Sequence, residues 1–420
     1  DLVCEGCGDC NTASNCVAVL PLETDLGRKR TIDQSSCNKD FSCLDGFCPS
    51  FVTVHGGEIR KAEPPVLGDH GPADKLNEPK ASIINGSYNI LLTGIGGTGV
   101  ITTGALLGTA ASIDGKGCSV LDQTGLAQKN GAVMSHVRIS DDENRVFGTR
   151  IGTGMADLVL GFDMVVAAGE AAVNTMNSNR TTAIINDHLV PLAAFAAKPD
   201  LPLSPDGYTD VIRTRVGDKN AEFINATSLA THLMGDSITA NIFLMGYAYQ
   251  KGLIPLTGKS LTEAIKLNGV SVEANLRAFS WGRVAFFEPN QLESLVGEPR
   301  EKVNSVKVSL DEFIETRVAD LKEYQNQDYA DHFRDCLDKV REAEKKVGSY
   351  DRELEGAVAR SLFKLMAYKD EYEVARLYSS TEFSQKLNSQ FSRKFTIGLN
   401  FAPPIFARKD PVTGNPKKNS

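Results

Sequence analysis

The sequence has no run of about 18 apolar residues, and this absence excludes a membrane-spanning helix. Basic residues are not in excess either. There are 45 Lys and Arg against 53 Asp and Glu, so the net charge is −8 and the isoelectric point is about 5.4. Because no basic stripe is available to neutralise phosphates, we expect no nucleic-acid partner. The sequence also lacks an apolar signal segment and any internal repeat of solenoid length.

The rest of the composition is that of an ordinary globular chain. Hydrophobic residues make up 41% and charged residues 23% of the 420 positions, so two or three domains with real cores are expected. The chain begins without methionine and ends in a polar stretch, and we expect it to be cut from a longer polypeptide. Reduced cysteines without a targeting segment lead us to expect a cytoplasmic location.

Cysteine is concentrated at one end of the chain. Seven of the nine cysteines lie near the N-terminus in two runs: Cys4, Cys7, Cys10 and Cys16, then Cys37, Cys43 and Cys48, which precedes Pro49. Three thiolates at x2 spacing can face one metal centre, and a distant Cys-Pro closes such a site in bacterial ferredoxins. A disulfide framework is disfavoured in a long chain without a signal segment. Structural zinc usually takes two Cys-x2-Cys pairs. The pattern therefore predicts an iron–sulfur site.

The number of clusters is left open by the spacing. In two-cluster ferredoxins the last cysteine of each run binds the other cluster. That rule assigns one [4Fe–4S] cluster to Cys4, Cys7, Cys10 and Cys48. It leaves Cys16, Cys37 and Cys43. Three thiolates can hold a three-iron cluster, a four-iron cluster with a non-cysteine ligand, or nothing. Pairing in chain order instead assigns the first cluster to Cys4, Cys7, Cys10 and Cys16.

The chain divides into four predicted segments of α/β class. Residues 1–54 form a cysteine-rich, ferredoxin-like module, with a hairpin that turns near Gly27. Residues 55–86 are rich in proline and glycine and are predicted to be a linker. Residues 87–300 are predicted to be a mostly parallel, Rossmann-like α/β domain, and residues 301–420 a helical region with apolar stripes at helical spacing.

Short apolar runs within the α/β domain alternate with helical segments, which is typical of a parallel sheet. The predicted strands are 90–93, 118–121, 134–139, 146–148, 158–161, 164–167, 183–186 and 211–214. The runs at 134–139 and 146–148 are the ones expected to be antiparallel.

A glycine loop follows the first of these strands and opens a helix. Gly94, Gly96 and Gly99 fit G-x-G-x-x-G, and Gly97 adds a fourth glycine. Backbone N–H groups at a helix start favour an anion, so NAD or FAD binding is one interpretation. A tight strand-to-helix turn is the other. Asp122 lies 28 positions after Gly94 (122 − 94), beyond the usual offset of about 20, and we expect it in a polar loop.

Two cations lie further along the same region. Lys129 and Arg138 are candidates to hold an anionic group of a cofactor, and a solvated loop and an ordinary strand surface are the alternatives. His136, beside a predicted strand, is expected to be a core or edge histidine rather than a base.

The cysteine module occurs together with Gly-Ile-Gly-Gly-Thr-Gly and with the segments 121–129, 135–138, 35–43 and 47–51. In this combination the chain resembles the fused indolepyruvate:ferredoxin oxidoreductases, which belong to the 2-oxoacid:ferredoxin oxidoreductases. The resemblance implies that residues 87–300 are a gamma domain and that the helical region is the C-terminal extension of the fused enzymes.

The family decarboxylates an aryl 2-oxoacid on thiamine diphosphate, captures the acyl group as a CoA thioester, and passes electrons through iron–sulfur clusters to ferredoxin. The sequence has no Gly-Asp-Gly followed by Asn, the thiamine motif. The resemblance therefore implies an electron-relay and gamma portion, with thiamine diphosphate and CoA bound by an upstream module of the same polypeptide in a homo-oligomer. A nicotinamide- or flavin-linked iron–sulfur reductase is the rival, and a scaffold with a structural metal is a third hypothesis.

Overall fold

The computed structural model describes residues 2–14, 16, 18–34, 37, 39–44, 48–60, 76–124, 131–142, 146, 148–189, 204–287, 308–348 and 351–400. Within these ranges no helix combines the length and the apolar character that a membrane span requires.

The elements alternate between strands and helices until about residue 287 and are then mainly helical. The first are α1 (Asp9–Ser14), β1 (Val19–Thr24), β2 (Gly27–Ile32), a 3-10 turn (Ser42–Leu44), β3 (Val52–His55) and β4 (Glu58–Ile59). The central elements are β5 (Tyr88–Ile95), α2 (Val100–Ile113), β6 (Gly117–Thr124), β7 (Ala132–Ser140), β8 (Leu158–Gly161), α3 (Met164–Ala167), α4 (Glu170–Val173), β9 (Thr182–Asn186), α5 (Asp206–Val216), β10 (Ala221–Ile224), α6 (Ala226–Met234), α7 (Ala240–Gln250), α8 (Gly258–Asn268) and α9 (Val272–Phe287). The last are α10 (Leu310–Tyr324), α11 (Gln327–Lys346), α12 (Glu353–Met366), α13 (Glu371–Tyr378), α14 (Thr381–Gln390), β11 (Phe391–Ser392) and β12 (Thr396–Leu399).

The described residues separate into two units. The first contains the residues up to 60 together with 308–400, and the second contains 76–189 and 204–287. The cysteine module and the helical region are thus parts of one unit, which chain order alone does not indicate.

Strand pairing explains why the two ends of the chain lie in the same unit. The predicted hairpin is formed by β1 and β2, which pair from Val19 with Ile32 to Thr24 with Gly27. The strand β3 pairs antiparallel with β12, and β4 pairs antiparallel with β11. Each of these short strands satisfies its backbone hydrogen bonds through the other end of the chain.

The helical part of this first unit has its own core. The helices α10, α11 and α12 bury the large side chains Phe313, Leu321, Phe333, Leu337 and Phe363 against one another. The helix α10 starts with a capping box, in which Ser309 and Glu312 exchange hydrogen bonds. The first two predicted stripes are therefore confirmed as parts of a packed bundle. The third, predicted as Leu354, Val358, Leu362 and Leu365, is wrong at its two ends, because Leu354 and Leu365 are exposed and α12 packs through Ala359, Phe363 and Met366.

The second unit is built on a six-stranded sheet with the order β10-β9-β8-β5-β7-β6. Neighbouring pairs among β10, β9, β8 and β5 are parallel, whereas β7 is antiparallel to both β5 and β6. Since β5 and β6 both oppose β7, five of the six strands run in one direction. The predicted mostly parallel α/β sheet is confirmed, as is the antiparallel strand at 134–139.

Three of the predicted strands are wrong. The run 211–214 lies inside α5, where Ile212 and Val216 are buried one turn apart. A run of four apolar residues is too short to distinguish the helical from the strand period of hydrophobicity. The run 164–167 is α3, whose start is capped by the Asp163 carboxylate. Val146 and Gly148 are outside any strand, and Phe147 is outside the described residues. The strand β10 was not predicted.

The predicted linker is described only at its two ends, since 61–75 lie outside the described residues. Its second end, 76–86, is hydrogen-bonded within the α/β unit. The Ser82 N–H and hydroxyl both donate to the Gly252 carbonyl, at 2.9 and 2.7 Å, and the Gln250 amide donates to the Asn77 carbonyl at 2.9 Å. This end behaves as part of the α/β domain, and the boundaries 1–54, 55–86, 87–300 and 301–420 stay a prediction.

Candidate metal centre and glycine loop

The first cysteine run forms a tight loop. Gly6 and Gly8 have φ angles of +75° and +78° and so reverse the chain on either side of Cys7. A Cβ at Gly6 would lie 2.1 Å from the Arg28 carbonyl oxygen, so only glycine fits there. The Gly6 N–H donates to the Cys4 sulfur at 3.3 Å, the kind of hydrogen bond that tunes thiolate ligands of iron.

The seven thiols fall into two interacting sets. Burial, followed by the thiols of Cys48, Cys4 and Cys7, raises the pKa of Cys10 to about 12. Burial, followed by Cys16 and Cys37, raises the pKa of Cys43 to about 11. We name Cys4, Cys7, Cys10 and Cys48 the first set and Cys16, Cys37 and Cys43 the second set. The first set contains the same four cysteines that the rule of two-cluster ferredoxins assigns to one cluster. Which of these thiols bind iron stays a prediction.

The chemistry of the donor set fits an iron–sulfur cluster. Neighbouring thiolates repel one another, and a bound metal cation relieves that cost. Within the described ranges, no three His, Cys, Asp or Glu side chains surround a single point as the ligands of one metal ion would. In a four-iron cluster each thiolate binds a different iron atom, so its ligands stand further apart than those of one ion.

Buried cations lie beside the first set. The side chain of Lys29 on β2 is only 3% exposed, and its ammonium donates to the Cys4 carbonyl. Burial, followed by repulsion from Lys369, lowers the pKa of Lys29 to about 8. The neighbouring Arg30 donates to the Asn11 side chain at 3.0 Å. Sequence reasoning missed these residues, although three consecutive basic residues, Arg28, Lys29 and Arg30, in a predicted hairpin strand were an available signal.

The helical region also contributes to this site. The Tyr378 hydroxyl on α13 donates to the Pro49 carbonyl at 2.8 Å, directly after Cys48. Burial, followed by the Cys48 and Cys4 thiols, raises the pKa of Tyr378. Lys369, just before α13, forms an ion pair with Glu5 inside the first cysteine loop. No local sequence signal connects the two ends of the chain, so these contacts were not predictable.

The glycine loop lies between β5 and α2, as predicted. Gly97 and Gly99 have φ angles of +87° and +92°, which favour glycine. A Cβ at Gly94 would lie 2.6 Å from the Val100 side chain. The loop is fixed from both sides, because the Gly96 N–H donates to the Gly131 carbonyl and the Asn241 amide donates to the Thr98 carbonyl. A positive φ therefore accounts for Gly97 and Gly99, and close packing against the Val100 side chain accounts for Gly94.

The other predicted binding residues are not gathered around this loop. Asp122 is exposed within β6, opposite Ser135, rather than in a polar loop. Arg138 pairs with Asn89 near the other end of β5. Its guanidinium donates to the Asn89 side chain at 2.9 Å and to the Gly148 carbonyl at 2.8 Å. Arg138 thus connects β7 to β5 and to Gly148, away from the glycine loop. Lys129 lies outside the described residues.

His136 is a core histidine, as expected. It is 2% exposed on β7, where its Nδ1 accepts the Ile151 N–H at 3.2 Å. Its Nε2 lies 3.4 Å from the Gln123 side-chain oxygen. Burial, followed by repulsion from Arg150, lowers its pKa to about 4. The neutral ring is therefore a structural acceptor.

Two family models match the chain. One, described as pyruvate ferredoxin/flavodoxin oxidoreductase, matches residues 89–285, and the other, described as a family of unknown function, matches residues 310–420. Neither covers residues 1–60, so the candidate ligands are supported by this chain's own residues.

Curated proteins and a solved structure are similar to slightly less than half of the chain. The "Indolepyruvate oxidoreductase subunit IorB" of Pyrococcus horikoshii is 30% identical over 199 residues, which are 46% of this chain and 94% of that protein. The subunit of the same name from Methanothermobacter thermautotrophicus is 31% identical, over 47% of this chain and 96% of its own. A keto/oxoacid ferredoxin oxidoreductase gamma subunit from Geobacter sulfurreducens is 23% identical over 48% of this chain and 98% of its own, with a TM-score of 0.34.

Proposed function

The chain belongs to the 2-oxoacid:ferredoxin oxidoreductases, and from this premise we propose that it is the electron-transfer and gamma portion of an indolepyruvate:ferredoxin oxidoreductase. The whole enzyme would oxidatively decarboxylate an aryl 2-oxoacid to an acyl-CoA with thiamine diphosphate. The reaction type follows the family, and the aryl substrate follows the names of the relatives, which are indolepyruvate oxidoreductase subunits.

One observation carries the proposal: the same chain joins an IorB-like α/β domain to seven N-terminal cysteines whose thiols fall into two interacting sets. A chain with only the α/β domain would need a separate electron carrier. Here the first set would hold a [4Fe–4S] cluster, which supplies a one-electron carrier when bound. We propose ferredoxin as the external acceptor and an upstream module of the same polypeptide as the holder of thiamine diphosphate and CoA.

The protein's own residues would set the properties of that carrier. The Cys4 and Cys10 side chains are each 7% exposed, whereas Cys7 is exposed. The buried Lys29 ammonium beside Cys4 favours added negative charge in the module, and the Gly6 N–H offsets charge on the Cys4 sulfur. We propose that electrons leave near Cys7, where the first set reaches solvent. The α/β domain would shape the assembly and the CoA-facing side of the site, in a cytoplasmic homo-oligomer.

The test uses the full-length polypeptide loaded with iron and sulfide under anaerobic conditions. Indolepyruvate with CoA should bleach the visible iron–sulfur absorbance and then reduce added ferredoxin. Residues 1–420 alone should not turn over, because they lack a group that stabilises the acyl carbanion. The variant Cys7→Ala should lose iron and ferredoxin reduction, and Cys118→Ala, on β6 of the other unit, is its matched control.

Three results would contradict the proposal. One is CoA-dependent turnover by residues 1–420 alone, and another is full iron and full ferredoxin reduction in Cys7→Ala. The third is failure of the full-length enzyme to reduce ferredoxin with any aryl 2-oxoacid, which would contradict the substrate class that we propose from the relatives.

A further inference from the structure

Two loops of the cysteine module share one spacing. In the first loop, Cys4 and Cys10 enclose Cys7 at x2 on either side. In the second, Cys37 and Cys43 enclose Asp40 at the same spacing. The residue in the middle of the second loop is therefore a carboxylate where the first loop has a thiol.

The backbones of the two loops repeat as well. Cys7 lies between Gly6 and Gly8, at φ +75° and +78°. Asp40 lies between Lys39 and Phe41, at φ +57° and +59°. A short helical segment starts two residues after each central position, at Asp9 in the first loop and at Ser42 in the second. In both loops the central residue therefore lies between two residues that have a positive φ.

The second loop keeps this backbone against its own preference. Glycine adopts a positive φ freely, but Lys39 and Phe41 have side chains that disfavour it. Strained residues of this kind persist where the surrounding structure or a function requires them, and they cluster at binding sites.

Asp40 lies in the loop that carries two of the three thiols of the second set, three residues after Cys37 and three residues before Cys43. One oxygen of that carboxylate accepts the Ser42 N–H at 3.1 Å and the Ser42 hydroxyl at 2.9 Å, which orients the group within the loop.

We propose that the Asp40 carboxylate is the fourth ligand of a second four-iron cluster, whose other three ligands are the thiols of the second set. The proposal rests on the proposed function, since it takes the module to be an iron–sulfur carrier. A carboxylate oxygen is a harder ligand than a thiolate and holds iron of a sulfide cluster less tightly. Loss of one electron to an oxidant such as ferricyanide then converts [4Fe–4S]²⁺ into [3Fe–4S]⁺ and one released Fe²⁺.

The experiment compares the full chain with two variants of the central residue. All are loaded with iron and sulfide anaerobically, and iron is counted before EPR spectra are taken. The unchanged chain should hold two four-iron clusters, gain a three-iron EPR signal on mild ferricyanide treatment, and lose it again when Fe²⁺ and a reductant are added. Asp40→Cys should convert at least tenfold more slowly, because four thiolates then hold the iron. Asp40→Asn should release one Fe²⁺ without oxidant and leave [3Fe–4S]⁰, so that it holds one iron atom fewer than the unchanged chain before ferricyanide is added.

The matched control is Asp9→Asn, which removes an exposed carboxylate two residues after the central position of the first loop. It should behave like the unchanged chain. Equal iron content and equal EPR spectra in Asp40→Asn and the unchanged chain would overturn the proposal. If Asp40→Asn does not fold, equal conversion of Asp40→Cys and the unchanged chain overturns it. If the chain holds a single cluster that depends on Cys7 and not on Asp40, the assignment of Asp40 as a ligand is overturned and the proposed function stands. A loaded chain without any cluster removes both.

Discussion

The buried histidine of the α/β unit gives a pH dependence that can be worked out from the structure. His136 Nδ1 accepts the Ile151 N–H, so a proton on that nitrogen would break the bond and place a charge in the core. Its pKa falls from the usual 6.5 to about 4 through burial and then Arg150. Because the unfolded chain binds this proton at higher pH than the folded chain, the stability of the unit falls as pH falls from 6.5 towards 4.

The size of this effect follows from the gap of about 2.5 pKa units. The full loss is about 3 kcal/mol at 1.36 kcal/mol per unit, and about 2 kcal/mol of it is already lost at pH 5. With a typical urea dependence of about 2 kcal/mol per molar, the unfolding midpoint should move by roughly 1 M between pH 8 and pH 5.

The assay uses the single tryptophan of the chain. Trp281 lies on α9, is 4% exposed and belongs to the core of the α/β unit, so its fluorescence follows the urea unfolding of that unit in the full chain. His136→Gln should have a lower midpoint at pH 8 but a flatter dependence on pH. His332→Gln, an exposed histidine on α11, is the control. An unchanged pH dependence in His136→Gln would refute the reasoning.

Two further predictions concern the helical bundle and the glycine loop. The fully buried Glu355 carboxylate accepts hydrogen bonds from Arg341 and Arg352 at 2.6 and 2.7 Å, and both arginines are part-exposed. Glu355→Gln should therefore destabilise α12 by about 2 kcal/mol, which is less than the cost of breaking a fully buried ion pair. The amides of α12 should then exchange hydrogen roughly 30-fold faster. An effect no larger than that of the exposed Glu342→Gln would contradict this. Calorimetric titration of the chain with NADH or NADPH should show no tight binding, because backbone geometry explains the loop; stoichiometric binding would restore the dinucleotide interpretation.

Local signals predicted the parts of this protein whose structure depends on neighbours in sequence. The glycine loop was found because a strand, a positive-φ turn and a helix follow one another directly along the chain, from β5 to α2. The hairpin at Gly27 and the first two helical stripes were found for the same reason. Strand predictions failed where a short apolar run fits both the helical and the strand period of hydrophobicity, as at 164–167 and 211–214. The partners of Arg138, Asn89 and Gly148, depend on strand register and could not be predicted from the sequence.

The sequence by itself determined the spacing of the thiols, the glycines that reverse the chain around Cys7, and the apolar stripes of the helices α10 and α11. These depend on dihedral preference and periodicity, which act over a few residues. Only the tertiary structure decided that β11 and β12 pair with β4 and β3, and that Tyr378 and Lys29 lie beside the first set. Pairing of strands from opposite ends of the chain is selected by the burial and hydrogen bonding of the whole unit, which no local pattern encodes.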